Sequence, residues 1–100
     1  GPNQILDYLS VGDRLDAYQA QELGFTHVLC VHTSCRYPMN RRAYVLKHVP
    51  ISDYGDGNLS KLLPDCTHFI TQARESGGKV LVHCRGGINR APTVAIGDLV

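Results

Sequence analysis

The stretch "VHCRGGINRAPT", residues 82–93, sets one cysteine and one arginine about two adjacent glycines, between an apolar run and a proline that opens another. A loop leading from the C-terminal end of a strand into a helix points successive backbone N–H groups inward, and the helix end adds partial positive charge. Residues 85–90 are therefore predicted to form an anion cradle, with the amides of Arg85, Gly86, Gly87, Ile88 and Asn89 turned toward a phosphate. Gly86 and Gly87 let the backbone approach an anion closely. Arg90, six residues after Cys84, returns to the same cradle with a planar fork that holds two oxyanion oxygens at once.

A thiol at the mouth of that cradle is expected to be lowered in pKa by the helix terminus and by Arg90, which populates thiolate near neutral pH. Cys84 could then attack phosphorus in line and form a phosphocysteine, while Arg90 and the loop amides hold the equatorial oxygens. No metal or other cofactor is required. An acid must protonate the leaving oxygen and a base must then activate water. The loop "SDYGDGN", residues 52–58, offers Asp53 and Asp56, and spacing alone leaves both open.

The elements that position these groups follow from pattern. "ILDYLSVG", residues 5–12, alternates as a half-buried strand; residues 13–24 put Leu15, Ala17, Ala20 and Leu23 near one helical face and stop at Gly24. "THVLCV", residues 26–31, reads as a strand covered on both faces. Residues 32–42 form a loop and "AYVLKHVPI" a strand. Ser60 is placed to cap a helix carrying Leu62, Leu63, Cys66, Phe69, Ile70 and Ala73. "KVLVHC", residues 79–84, is a further buried strand, and "APTVAIGDLV" opens a helix at its proline. Strand, helix, strand, strand, helix, strand, helix predicts an α/β three-layer sandwich with a central, mostly parallel sheet flanked by helices. The last apolar helix reaches only about two turns before Val100, so covering C-terminal helices are expected to be absent from this sequence.

One hundred residues, 43% of them hydrophobic and 19% charged, fit a single domain, residues 3–100, with Gly1-Pro2 as the scar of an expression tag. A net charge of +1 supplies no long-range field, which argues against nucleic acid or an anionic membrane as partner. No apolar run is long enough to span a membrane and no secretory leader is visible, so a soluble, intracellular chain in a reducing compartment, cytoplasmic or nuclear, is expected. Cys30, Cys35, Cys66 and Cys84 lack the paired spacing of a metal ribbon. Cys30, Cys35 and Cys66 are expected as small core residues, with a disulfide from one of them to Cys84 as the oxidised alternative. His27, His32, His48 and His68 share no ligand spacing and read as structural or exposed.

His83-Cys84-x-x-Gly87-x-x-Arg90 is similar to the signature of the cysteine-based protein tyrosine phosphatase superfamily, and the chain resembles its dual-specificity branch from residue 4 to residue 100. "ILDYLSVG", "LGFTHVLCV" and "VPISDYGDGNLSKLLPDCTHFI" resemble that branch's opening strand, its next helix end and strand, and its acid loop and following helix. The resemblance implies a phosphatase-type fold and hydrolysis of phosphotyrosine and phosphoserine/threonine in proteins. It makes Cys84 the nucleophile, Arg90 the phosphate clamp and His83 the residue that tunes and orients the cysteine loop. It favours Asp53 over Asp56 as the acid, 31 residues before Cys84 and five before "NLS". About 40 further C-terminal residues of helix belong to the family's domain.

One departure matters: the family usually has Ser or Thr directly after the arginine, and Ala91 stands there. That absence is expected to slow phosphoenzyme hydrolysis. Arg85 is placed at the pocket rim, Tyr54 next to the candidate acid Asp53 as a pocket-lining or loop-packing residue, and Arg36, Arg41, Arg42 and Lys47 as a basic cluster that could dock an acidic partner. Two other functions compete: a phosphatase of a non-protein substrate such as phosphoglucan, against which Asn89 counts, and a phospho-binding pseudophosphatase or scaffold.

Overall fold

In the computed structural model, which describes residues 1–32, 35, 43–51 and 58–84, chain direction reverses first at Asp7-Tyr8. Strand β1, Asn3–Leu6, pairs antiparallel with β2, Leu9–Gly12. The single strand expected over residues 5–12 is thus a hairpin. The two-residue reversal at Asp7-Tyr8 carries neither glycine nor proline, the strongest turn signals, so the sequence pattern does not mark it.

Helix α1, Arg14–Tyr18, starts with a capping box: the Asp13 carboxylate accepts from the Asp16 amide at 2.9 Å, and Asp16 accepts from the Asp13 amide at 2.9 Å. The expected helix over 13–24 is shorter. Just past Tyr18 the hydrogen bonds tighten to i−3, Gln19 N–H to the Asp16 carbonyl at 3.1 Å and Ala20 N–H to that of Ala17 at 3.2 Å. Ala17 and Ala20 still reach the core. Leu15 and Leu23, expected on the same buried face, remain 63% and 42% exposed.

Strands β3, His27–Cys30, and β4, Val45–His48, follow, then α2, Asn58–Glu75, and β5, Val80–His83. Helix α2 begins at Asn58, so Ser60 lies within its first turn rather than ahead of it. Pro64, inside α2, has no N–H to give the carbonyl four residues back. The helix expected from Pro92 lies outside the described residues.

The sheet runs β1-β2-β5-β3-β4, antiparallel only between β1 and β2. Period-two alternation divides the side chains between two layers. Leu9, Leu29, Val31, Val49, Ile51, Val80 and Val82 pack with Cys66, Phe69, Ile70 and Ala73 of α2. On the opposite face Val28, Tyr44 and Leu81 pack with Ala17, Ala20 and Phe25. Both faces of β5 are covered, and all four of its residues are fully buried or nearly so. This is the α/β sandwich with a mostly parallel sheet and flanking helices that the element pattern implies.

Candidate functional site

β2, β5, β3 and β4 run parallel, so their carboxyl ends share one edge, where Gly12, His83, Cys30 and His48 stand side by side in register. Loops at that edge of an open parallel sheet form the crevice where ligands bind. Cys84 follows the central strand directly. A free thiol, 6% exposed, it packs within the α2-side cluster with Val80 and Val82, as alternation along β5 requires.

His83 points to the opposite face. Only 2% exposed, its imidazole is pushed down from 6.5 to about 4, chiefly because burial penalises the charged ring, while a hydrogen bond with the Cys84 backbone pulls the other way. The ring is therefore neutral at neutral pH. Its contact with the Cys84 main chain, together with the His83 carbonyl accepting from the Val31 amide at 2.9 Å, ties the strand end to β3 just where the cysteine emerges.

The remaining site residues read from sequence, Asp53, Arg85, Gly86, Gly87, Ile88, Asn89 and Arg90, lie outside the described residues, as do Asp56 and Ala91. The chain enters the Asp53 segment from buried Ile51, three residues past the carboxyl end of β4. It leaves β5 at Cys84. Both segments therefore begin at the same sheet edge.

The cysteines correct the sequence reading in part. Cys66 is a buried free thiol, pushed up to about 11 by burial first and by the nearby Asp65 charge second, which suits a core residue. Cys30, buried as expected, is joined to Cys35 in a disulfide with a Cα–Cα distance of 6.7 Å, and Cys84 takes no part in it. His48 joins this pair: one ligand atom each from Cys30, Cys35 and His48 lie within 4.8 Å of one another. Sequence spacing concealed that cluster because parallel pairing of β3 with β4, not chain proximity, sets His48 opposite Cys30.

A mostly parallel α/β sheet whose central strand leads directly into a buried cysteine, tied at its base by a neutral histidine, defines a thiol-centred α/β domain. Residues 8–97 match the model of the "Dual specificity phosphatase, catalytic domain" family, and the chain belongs to that family. It is 33% identical over 108 residues to dual specificity protein phosphatase PHS1 of Arabidopsis thaliana, covering 99% of this chain and 11% of that protein. Dual specificity protein phosphatase 15 of Mus musculus is 32% identical over 99 residues, covering 96% of this chain and 41% of its own length. The chain thus spans less than half the length of these relatives. Among solved structures, DUSP15 superposes with a TM-score of 0.86 at 26% identity, covering 99% of this chain and 64% of that one. The human tyrosine phosphatase-like serine/threonine/tyrosine-interacting protein does so with a TM-score of 0.83 at 25% identity, covering 98% and 71%.

Proposed function

We propose that this domain hydrolyses phosphotyrosine and phosphoserine/threonine in proteins through a phosphocysteine on Cys84. The observation that carries the reading is Cys84 at the carboxyl end of the central parallel strand, followed in sequence by the glycines and arginine of an anion cradle. Thiolate sulfur attacks phosphorus as the P–O bond to the substrate breaks; Asp53 gives its proton to the departing oxygen. Water, deprotonated by the same carboxylate, then attacks phosphorus, and the S–P bond breaks to release phosphate and thiolate. Arg90 and the amides of residues 85–90 hold the three equatorial oxygens throughout. His83, neutral and bonded to the Cys84 backbone, fixes the base of the loop. A cytoplasmic or nuclear setting, with phosphorylated proteins as partners, goes with this reading.

The test is turnover of para-nitrophenyl phosphate and matched phosphopeptides. Cys84→Ser should abolish it, and Asp53→Asn should cost roughly 10²–10⁴-fold with peptide substrates, the scale of a general acid. Full activity in Cys84→Ser sinks the proposal. Ala91, where the family carries a hydroxyl, favours a second reading in which the cradle binds phosphate but turns over poorly. A burst of phosphocysteine in rapid quench, relieved by Ala91→Ser, marks a slow enzyme. Phosphate binding with neither burst nor turnover marks the binding module.

A further inference from the structure

Cys30, Cys35 and His48 stand on the face of the sheet opposite the Cys84 side chain. Cys30 closes β3 and His48 closes β4, direct partners in the parallel register, so their side chains leave the sheet on the same side. Cys35 packs against the α1-side cluster. Cys30 is buried, Cys35 half-buried and His48 exposed, which seats the group at a rim open to solvent.

We propose that this trio is a binding site for a thiophilic divalent cation, zinc above all, and that the Cys30–Cys35 disulfide is its oxidised, metal-free form. Two sulfurs and one imidazole are the ligand chemistry zinc prefers. Tetrahedral zinc, at about 2.3 Å from sulfur and about 2.0 Å from nitrogen, sets its ligand atoms roughly 3.5–3.8 Å apart. The three ligand atoms here lie within 4.8 Å of one another, so side-chain rotation after the disulfide opens suffices to seat the ion.

The histidine is held for the task. His48 Nε2 lies 2.6 Å from the His32 carbonyl oxygen; a carbonyl only accepts, so Nε2 carries the proton and Nδ1 keeps a lone pair for the metal. A metal-bound imidazole that gives its other N–H to a backbone carbonyl is the arrangement that fixes ring and tautomer in zinc sites.

The steps balance. A dithiol reductant supplies two electrons and two protons: the S–S bond breaks, Cys30 and Cys35 become thiols and the reductant becomes a disulfide. The cation then displaces both thiol protons and accepts lone pairs from two thiolates and neutral His48. Two thiolate charges cancel the charge of the ion, so the half-buried site is neutral overall. Water completes the fourth position from the solvent side.

The test uses the whole chain, reduced by a phosphine and freed of it without air, and titrated with zinc against a chromophoric chelator. One equivalent should bind and close to two protons should be released, while the oxidised chain binds none under the same conditions. Cys35→Ser and His48→Gln should each weaken binding by about tenfold or more, whereas Cys66→Ala and Cys84→Ser leave it unchanged. Cobalt on the unmutated chain gives a readout independent of any variant's folding: sulfur-to-metal charge transfer with tetrahedral ligand-field bands, and two sulfurs in the X-ray absorption shell. The proposal is overturned by absence of stoichiometric binding to the reduced chain, by equal binding to the oxidised one, by retention in either ligand variant, by loss in Cys84→Ser, or by a cobalt shell without two sulfurs.

Discussion

His83 makes the stability of this domain depend on pH over a window that the unfolded chain does not share. Its ring protonates at about 4 in the folded chain, against an ordinary value of 6.5. As pH falls below 6.5 the unfolded chain takes up a proton that the folded chain refuses until about pH 4, so stability is complete above that window and lost on acidification. Integrated from pH 7.5 to pH 5, the loss is about 2 kcal/mol, and it approaches roughly 3 kcal/mol below pH 4. For a domain of this size 2 kcal/mol corresponds to a drop in Tm of about 10 °C. The measurement is urea unfolding at intervals between pH 5 and 7.5, on the unmutated chain and on His83→Gln, whose amide cannot titrate. Carboxylates and the other histidines are common to both and cancel in the difference. The unmutated chain should lose about 2 kcal/mol more than the variant over that range, with the difference opening below pH 6.5. Parallel profiles, or an NMR titration of the His83 ring centred near 6.5, would refute the burial argument.

Burial elsewhere gives three further expectations. Ile70→Ala removes a fully buried side chain where α2 meets the sheet and should cost about 2–5 kcal/mol, read as a lower urea midpoint at unchanged slope; Leu15→Ala, at a side chain 63% exposed, should stay within about 0.5 kcal/mol. Gly77 has φ +77° with nothing within 4 Å of an added Cβ, so Gly77→Ala should lose about 1 kcal/mol from backbone strain alone, and an unchanged midpoint would contradict it. Cys66, held at about 11, should escape alkylation in the reduced native chain at pH 8, where about one thiol in a thousand is ionised, and react once urea is added; peptide mass spectrometry reads both states.

Much of the fold was legible because it is written in short-range apolar patterns. The runs "THVLCV" and "KVLVHC" are apolar without alternation, and both became strands covered by helices on their two faces. Ala17 and Ala20 were correctly placed in the core, whereas Leu15 and Leu23 were not, since a helical period describes a face only while the helix lasts. The hairpin is not legible in the sequence because its two-residue turn, Asp7-Tyr8, has neither glycine nor proline to mark it. In the candidate site, Cys84 and His83 could be singled out from sequence and sit together at the end of the central strand; Asp53 and Arg90, also read from sequence, lie outside the described residues.

By itself the sequence determined the types of the described elements that follow the hairpin, the parallel character of the sheet and the one cysteine set before a glycine-rich, arginine-containing stretch, because each rests on neighbours along the chain. Tertiary structure decided what depends on neighbours in space. It divided His83, the last residue of β5, and Cys84, the next in the chain, between the two faces of the sheet, sending Cys84 toward α2 and His83 to the opposite side, and it buried the ring deeply enough to hold it neutral. It also set His48 beside Cys30 and folded Cys35 back onto both. Parallel strands meet only through a crossover of many residues, so a ligand pair made across them leaves no local spacing to read.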